Sequence, residues 1–212
     1  MIIIIFDYYH FYGFKMGFLS TTAIKWNGTF CVFILVLMYI RHTLIPNDEQ
    51  KLEYRNKIAR LKGFEDAFEL VKSAISTKFK MHRAGLSLIL QVMPNNLGAY
   101  HILGSNVIVV NRYVLYVIKN LSKSTEEYNS YLFMVLAHEY LHSFGIMDEN
   151  VVRQMTYNLC MSLLGESHAA TLMAKEDPSS LFPQLKMLPQ SKFEREYEIV
   201  KDFDKKNQSY IS

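Results

Sequence analysis

The chain has 212 residues, half of them hydrophobic and a fifth charged, which supports one domain with a substantial core and excludes a largely disordered protein. Its 23 basic residues against 20 acidic ones leave a net charge of only +3, spread without a basic tail, so nucleic acid is not an implied partner. The two cysteines, Cys31 and Cys160, stand far apart in apolar surroundings and read as buried thiols, which excludes a disulfide framework or a Cys-rich zinc site.

Residues 1–46 form an apolar N-terminal segment whose longest unbroken hydrophobic run, 30–40, is eleven residues. A membrane-spanning helix needs about 20. Asn27 and Lys25 interrupt any upstream extension, and no small-x-small cleavage site follows. The expectation is a membrane-associated segment, with soluble β-strands as the alternative, and a localisation at the membrane rather than in the cytoplasm. From Asn47 the composition turns polar and helix-prone as far as Gly63, a helix stop. Phe64, Phe68, Val71, Ile75 and Phe79 then recur at steps of three and four, the stripe of a helix packed on a core.

Short apolar runs between residues 86 and 111, separated by turn residues, predict three strands with the last two paired as a hairpin. A short helix is expected in RYVLYVIKNL. Ser124 with Glu127 three residues on is a capping box that opens a longer helix, uninterrupted by Pro or Gly until Gly145. Asp148 and Gly165 bracket a further helix as N-cap and stop. Prolines mark the stretch from 178 to 189 as an extended loop, and the charged tail, 191–212, has helical spacing around Phe193, Tyr197, Val200 and Phe203.

The long helix carries LAHEYLHSFGIMDEN, residues 136–150. Residues four apart on a helix lie one turn above each other, so the imidazoles of His138 and His142 converge on one ion, and neutral imidazole is a good zinc ligand. Glu139, offset by one position, sits beside the metal and is suited to moving protons as a general base. Tyr131 and Val135 continue the histidine face, so the pair points toward an interior or cleft where unpartnered imidazoles are costly. Glu139-x-x-His142 is also half of a di-iron signature, but the chain has no second E-x-x-H.

The run HEYLHSFGIMDE resembles the zincin metallopeptidases, in particular the metzincin pattern H-E-x-x-H-x-x-G-x-x-H/D in its snapalysin-type aspartate form. The resemblance implies an α+β zincin-like domain over 47–190 with a small mixed or antiparallel sheet, and zinc-dependent hydrolysis of a peptide or protein substrate. It further implies Gly145 as the turn and Asp148 as the third zinc ligand. Glu149 is the alternative, closer to the gluzincin type, whose third ligand is a glutamate on a following helix. His168 has the right chemistry, but a helix over 149–164 is about 24 Å long at 1.5 Å per residue, which takes it far from the site. No convincing equivalent of the metzincin Met-turn is evident, Met161 and Met173 being the candidates for it. The resemblance also places 106–111 at a cleft-bordering edge strand, with an ordinary core strand as the alternative. His101 reads as a surface or turn histidine.

Overall fold

The computed structural model describes residues 48–204. The expectations for 1–46, including membrane association and the thiol of Cys31, lie outside these residues. Among the described residues the chain is α+β, with six α-helices and one small mixed sheet. In chain order these are α1 (Asp48–Ala59), α2 (Phe64–Phe79), β1 (Ser87–Gln91), β2 (Ala99–His101) and β3 (Val107–Asn111), then α3 (Arg112–Leu121), α4 (Thr125–His142), α5 (Glu149–Leu164), α6 (Ala169–Glu176) and β4 (Tyr197–Val200). Two 3₁₀ turns, Pro178–Ser180 and Pro183–Met187, occupy the proline-rich stretch. No helix among the described residues is long and apolar enough to cross a membrane.

Helix α4 is the centre of the domain. Ser124 Oγ accepts from the Glu127 N–H at 3.2 Å, and the Glu127 carboxylate accepts from the Lys123 N–H at 2.7 Å, so the capping box fixes where the helix starts. Tyr131, Leu132, Phe133, Leu136, Ala137, Tyr140 and Leu141 are all buried, a helix that is apolar almost all round because α1, α2, α5, α6 and β2 pack about it. Each such large side chain contributes about 1.5–3 kcal/mol of burial energy, which makes α4 a rigid base for whatever its C-terminal turn carries.

The sheet order is β2-β3-β1-β4. β2 and β3 form the expected antiparallel hairpin, whereas β1 pairs with β3 in parallel and with β4 antiparallel. The edge strands are therefore β2 and β4, and β3 lies inside the sheet, which corrects the expectation that 106–111 is an edge strand bordering the cleft. The helix expected around 193–203 is also overturned: Leu88 pairs with Val200 and Ile89 with Ile199, so this stretch supplies a strand from beyond residue 190. Its β-branched pair Ile199-Val200 suits a pleated edge, and Phe203 stacks on Phe68 at 4.2 Å between ring centres.

Three polar devices hold this frame. Asn111 is fully buried and saturated: its amide nitrogen donates to the carbonyls of Met93, Pro94 and Leu97, and its oxygen accepts from the N–H groups of Met93 and Tyr113. It thereby fixes the loop that leads into β2. The buried ammonium of Lys72 pairs with Asp204 and with Glu69, and Asp204 also accepts from the Gly85 and Leu86 N–H groups. Arg83 exchanges backbone hydrogen bonds with the Tyr140 hydroxyl, while its guanidinium donates to the carbonyls of Ser143 and Ser105.

Candidate metal centre

The last turn of α4 and the first turn of α5 meet through a tight reversal. Gly145 adopts φ +85°, a left-handed conformation that costs a residue with a Cβ about 1–2 kcal/mol, and its N–H is bonded to the His142 carbonyl at 2.9 Å. Nothing lies within 4 Å of a Cβ placed there, so conformation rather than space demands glycine. Asp148 then caps α5, its Oδ1 accepting from the N–H groups of Asn150 at 2.9 Å and Val151 at 3.3 Å. Capping turns the Asp148 carboxylate onto its own helix, and the next side chain, Glu149, projects across to α4.

The group brought together is consequently His138, His142 and Glu149, which could hold a metal ion. The expected third member, Asp148, serves the helix end instead. Nε2 of His138 and Nε2 of His142 are 3.2 Å apart, and a Glu149 carboxylate oxygen lies 3.3 Å from the first and 3.2 Å from the second. Ligand atoms on a tetrahedral ion with bonds of about 2.0 Å are about 3.3 Å apart, so the triangle has the edge length of a tetrahedral coordination face. Three electron-rich atoms this close need a positive centre between them, a proton or a metal ion. His142 Nδ1 faces the Ile146 carbonyl at 2.7 Å, and since a carbonyl only accepts, Nδ1 carries the hydrogen and Nε2 presents its lone pair to the group. Burial, opposed by Glu149, holds the His138 imidazole below its ordinary pKa and so in the neutral, ligating form.

Glu139 stands beside the triad with 4% exposure and with Oε2 buried and lacking a hydrogen-bond partner. Burial first, then the charge of Glu149, pushes its carboxyl up to about 8, against the pull of the His101 backbone N–H. A carboxyl kept so dry, with one oxygen left without a partner, has the poise of a proton-transfer group.

The triad opens onto a cleft of about 540 Å³. One wall is β2 with the preceding residues 96–98, the other is built from α5, α6 and the turn at Asp177, and the floor is the Tyr131, Val135, His138, His142 face of α4. Gly98 lets the first wall approach the floor, since a Cβ there would lie 3.2 Å from the Tyr131 hydroxyl. Gly98 and Ile102 bond to β3 through the Gly98 carbonyl and the Ile102 N–H, so by antiparallel alternation the backbone groups of Ala99 and His101 face outward along the free edge.

Of the other histidines, His168 lies far from the triad, as its reach predicts. It caps α6 by accepting from the Ala170 N–H and sits 3.4 Å from Glu126, at the opposite end of α4. His101 is no surface histidine: it lines the cleft, with both ring nitrogens shielded from solvent and without hydrogen-bond partners. Arg153, one turn after Glu149 on α5, also lines the cleft. Neither was readable in the sequence, because His101 has no ligand-spaced partner and Arg153 is one of many exposed helix cations. Compared with known proteins, the chain matches no family model, no curated protein and no solved structure.

Proposed function

We propose that the protein is a zinc-dependent metallopeptidase of zincin-like design, with His138, His142 and Glu149 as ligands and Glu139 as general base. The observation that carries the reading is the triangle of ligand atoms 3.2–3.3 Å on a side beside an unpartnered, buried carboxylate oxygen. Two imidazoles and a carboxylate are borderline-to-hard donors suited to zinc, and three protein ligands facing a cleft fit a catalytic site better than a structural one, which four protein ligands close.

His138, His142 and Glu149 would hold the zinc, whose Lewis acidity would polarise a scissile carbonyl and lower the pKa of a bound water. Glu139 takes the proton from that water as the new C–O bond forms, then delivers it to the leaving nitrogen as the C–N bond breaks. The outward backbone groups of Ala99 and the outward carbonyl of His101 align an extended substrate by strand addition, which tolerates many side chains. The arrangement is closer to the gluzincin type, with its glutamate on the following helix, than to the aspartate metzincins.

The test is Glu139→Gln in the zinc-loaded full chain. The variant should bind one zinc per chain by elemental analysis and lose more than about a hundredfold in kcat on a mixed peptide library, the scale of a lost general base. Undiminished cleavage by the variant refutes the role, and a wild-type chain that takes up no stoichiometric zinc refutes the function.

A further inference from the structure

Arg153 lines the metal cleft on α5 at position i+4 from Glu149, so the two side chains leave the same face of the helix about 6 Å apart along its axis. Arg153 lines that cleft together with His138 and Asp177, and its charge acts on both. Glu149 and Asp177, which line the same cleft, are both committed elsewhere. Glu149 is turned onto the histidines, and Asp177 Oδ1 accepts from the Ser179 N–H at 2.6 Å. Among the described residues Arg153 has no hydrogen bond and no ion pair, although it cannot lose its charge and its planar fork matches a carboxylate.

We infer that Arg153 is an anchor for a substrate carboxylate placed within about one residue of the scissile bond. This deepens the metallopeptidase reading and rests on the cleft being a peptide site. The carbonyl carbon of a peptide bond and the carboxylate carbon of the following residue are at most about 3.7 Å apart, so a C-terminal carboxylate next to the cut sits beside a carbonyl held at the triad, one helix turn from Arg153. The carboxylate is either the C-terminus of the peptide or an Asp or Glu side chain next to the cut.

Calorimetry on the zinc-loaded Glu139→Gln chain separates these sources without turnover. The probes are N-acetyl-glycyl-leucine against its C-terminal amide, and a doubly blocked tripeptide with central Glu against central Gln. One acid should bind at least about tenfold tighter than its neutral partner, as charge-assisted bidentate pairing provides, and adding Arg153→Met should abolish that preference. Preference in the first pair identifies the C-terminus, and in the second the side chain. Equal binding of acid and neutral probes in both pairs overturns the anchor, as does a preference that survives Arg153→Met, which puts the carboxylate on the metal. An Arg153-dependent preference in a chain whose unmutated form cleaves no peptide leaves the anchor standing and removes the peptidase reading instead.

Discussion

Replacing Asp148 and Glu149 one at a time separates the helix cap from the triad. Asp148→Ala removes an acceptor for two backbone N–H groups at the start of α5 and should cost about 1 kcal/mol, or roughly 2–4 °C in Tm for a domain of this size. It should leave zinc affinity nearly unchanged, because the Asp148 oxygen faces its own helix. Glu149→Ala, at an exposed first-turn position, should cost little stability in the metal-free protein but weaken zinc by more than about a hundredfold, since loss of outer-shell partners alone costs 10–100-fold. Zinc at a hundred times its Kd adds about 2.7 kcal/mol to the folded state, so the metal-induced rise in Tm should be roughly 5–11 °C in the unmutated and Asp148→Ala chains and near zero in Glu149→Ala at the same zinc concentration. Chelator competition and paired thermal melts read both quantities. If Asp148→Ala lost zinc as severely as Glu149→Ala, or Glu149→Ala kept its zinc-induced rise, the triad assignment would be wrong.

Gly145→Ala should lose about 1–2 kcal/mol and weaken zinc as well, while Gly145→Asn should be milder because Asn tolerates the left-handed region; equal effects on urea midpoints would contradict the conformational argument. Asp204→Ala should destabilise by about 3–5 kcal/mol in urea unfolding, because it strips the buried Lys72 of one partner and leaves two backbone donors unpaired; a change below 1 kcal/mol would show the pair to be dispensable. Burial lowers the His168 pKa, with Glu126 opposing, so the unfolded chain takes up a proton near pH 6.5 before the folded one does. Stability is therefore fully present above pH 6.5 and falls as the pH drops toward the lower folded value. His168→Asn keeps a capping oxygen without titrating and should flatten the decline between pH 6.5 and 5, whereas parallel declines in the two chains would rule out His168 as its source.

The helices were legible where periodicity and caps agreed. The stripe from Phe64 to Phe79 marks α2, and the Ser124 and Asp148 caps mark the starts of α4 and α5, to within a residue, because local hydrogen bonds and a one-sided core decide them; α4 stops at His142, two residues short of the stretch free of Pro and Gly. Strand order was not legible, since the parallel partnership of β1 with β3 and the arrival of β4 from over a hundred residues away leave no local trace. The spacing around Phe193 to Phe203 fits a helix face as well as an edge strand, and tertiary pairing decided between them. Within the site, His138, Glu139 and His142 could be read because one helix turn fixes them. The adjacent acids could not be separated by ligand chemistry: the N-cap position claims Asp148 and frees Glu149.

The clamp made by Arg83 sets a mechanical condition on the cleft. A single side chain holds the carbonyl just past the last turn of α4 and the turn that follows β2, while its backbone is bonded to Tyr140 in the middle of that last turn. Floor and strand wall therefore move as one jaw, and the gap beside the triad has a set width. On the proposed peptidase reading, a substrate segment would have to enter already extended, a condition that folded proteins meet at frayed ends and loose loops, so the jaw would select for unfolded chain before any side chain is read.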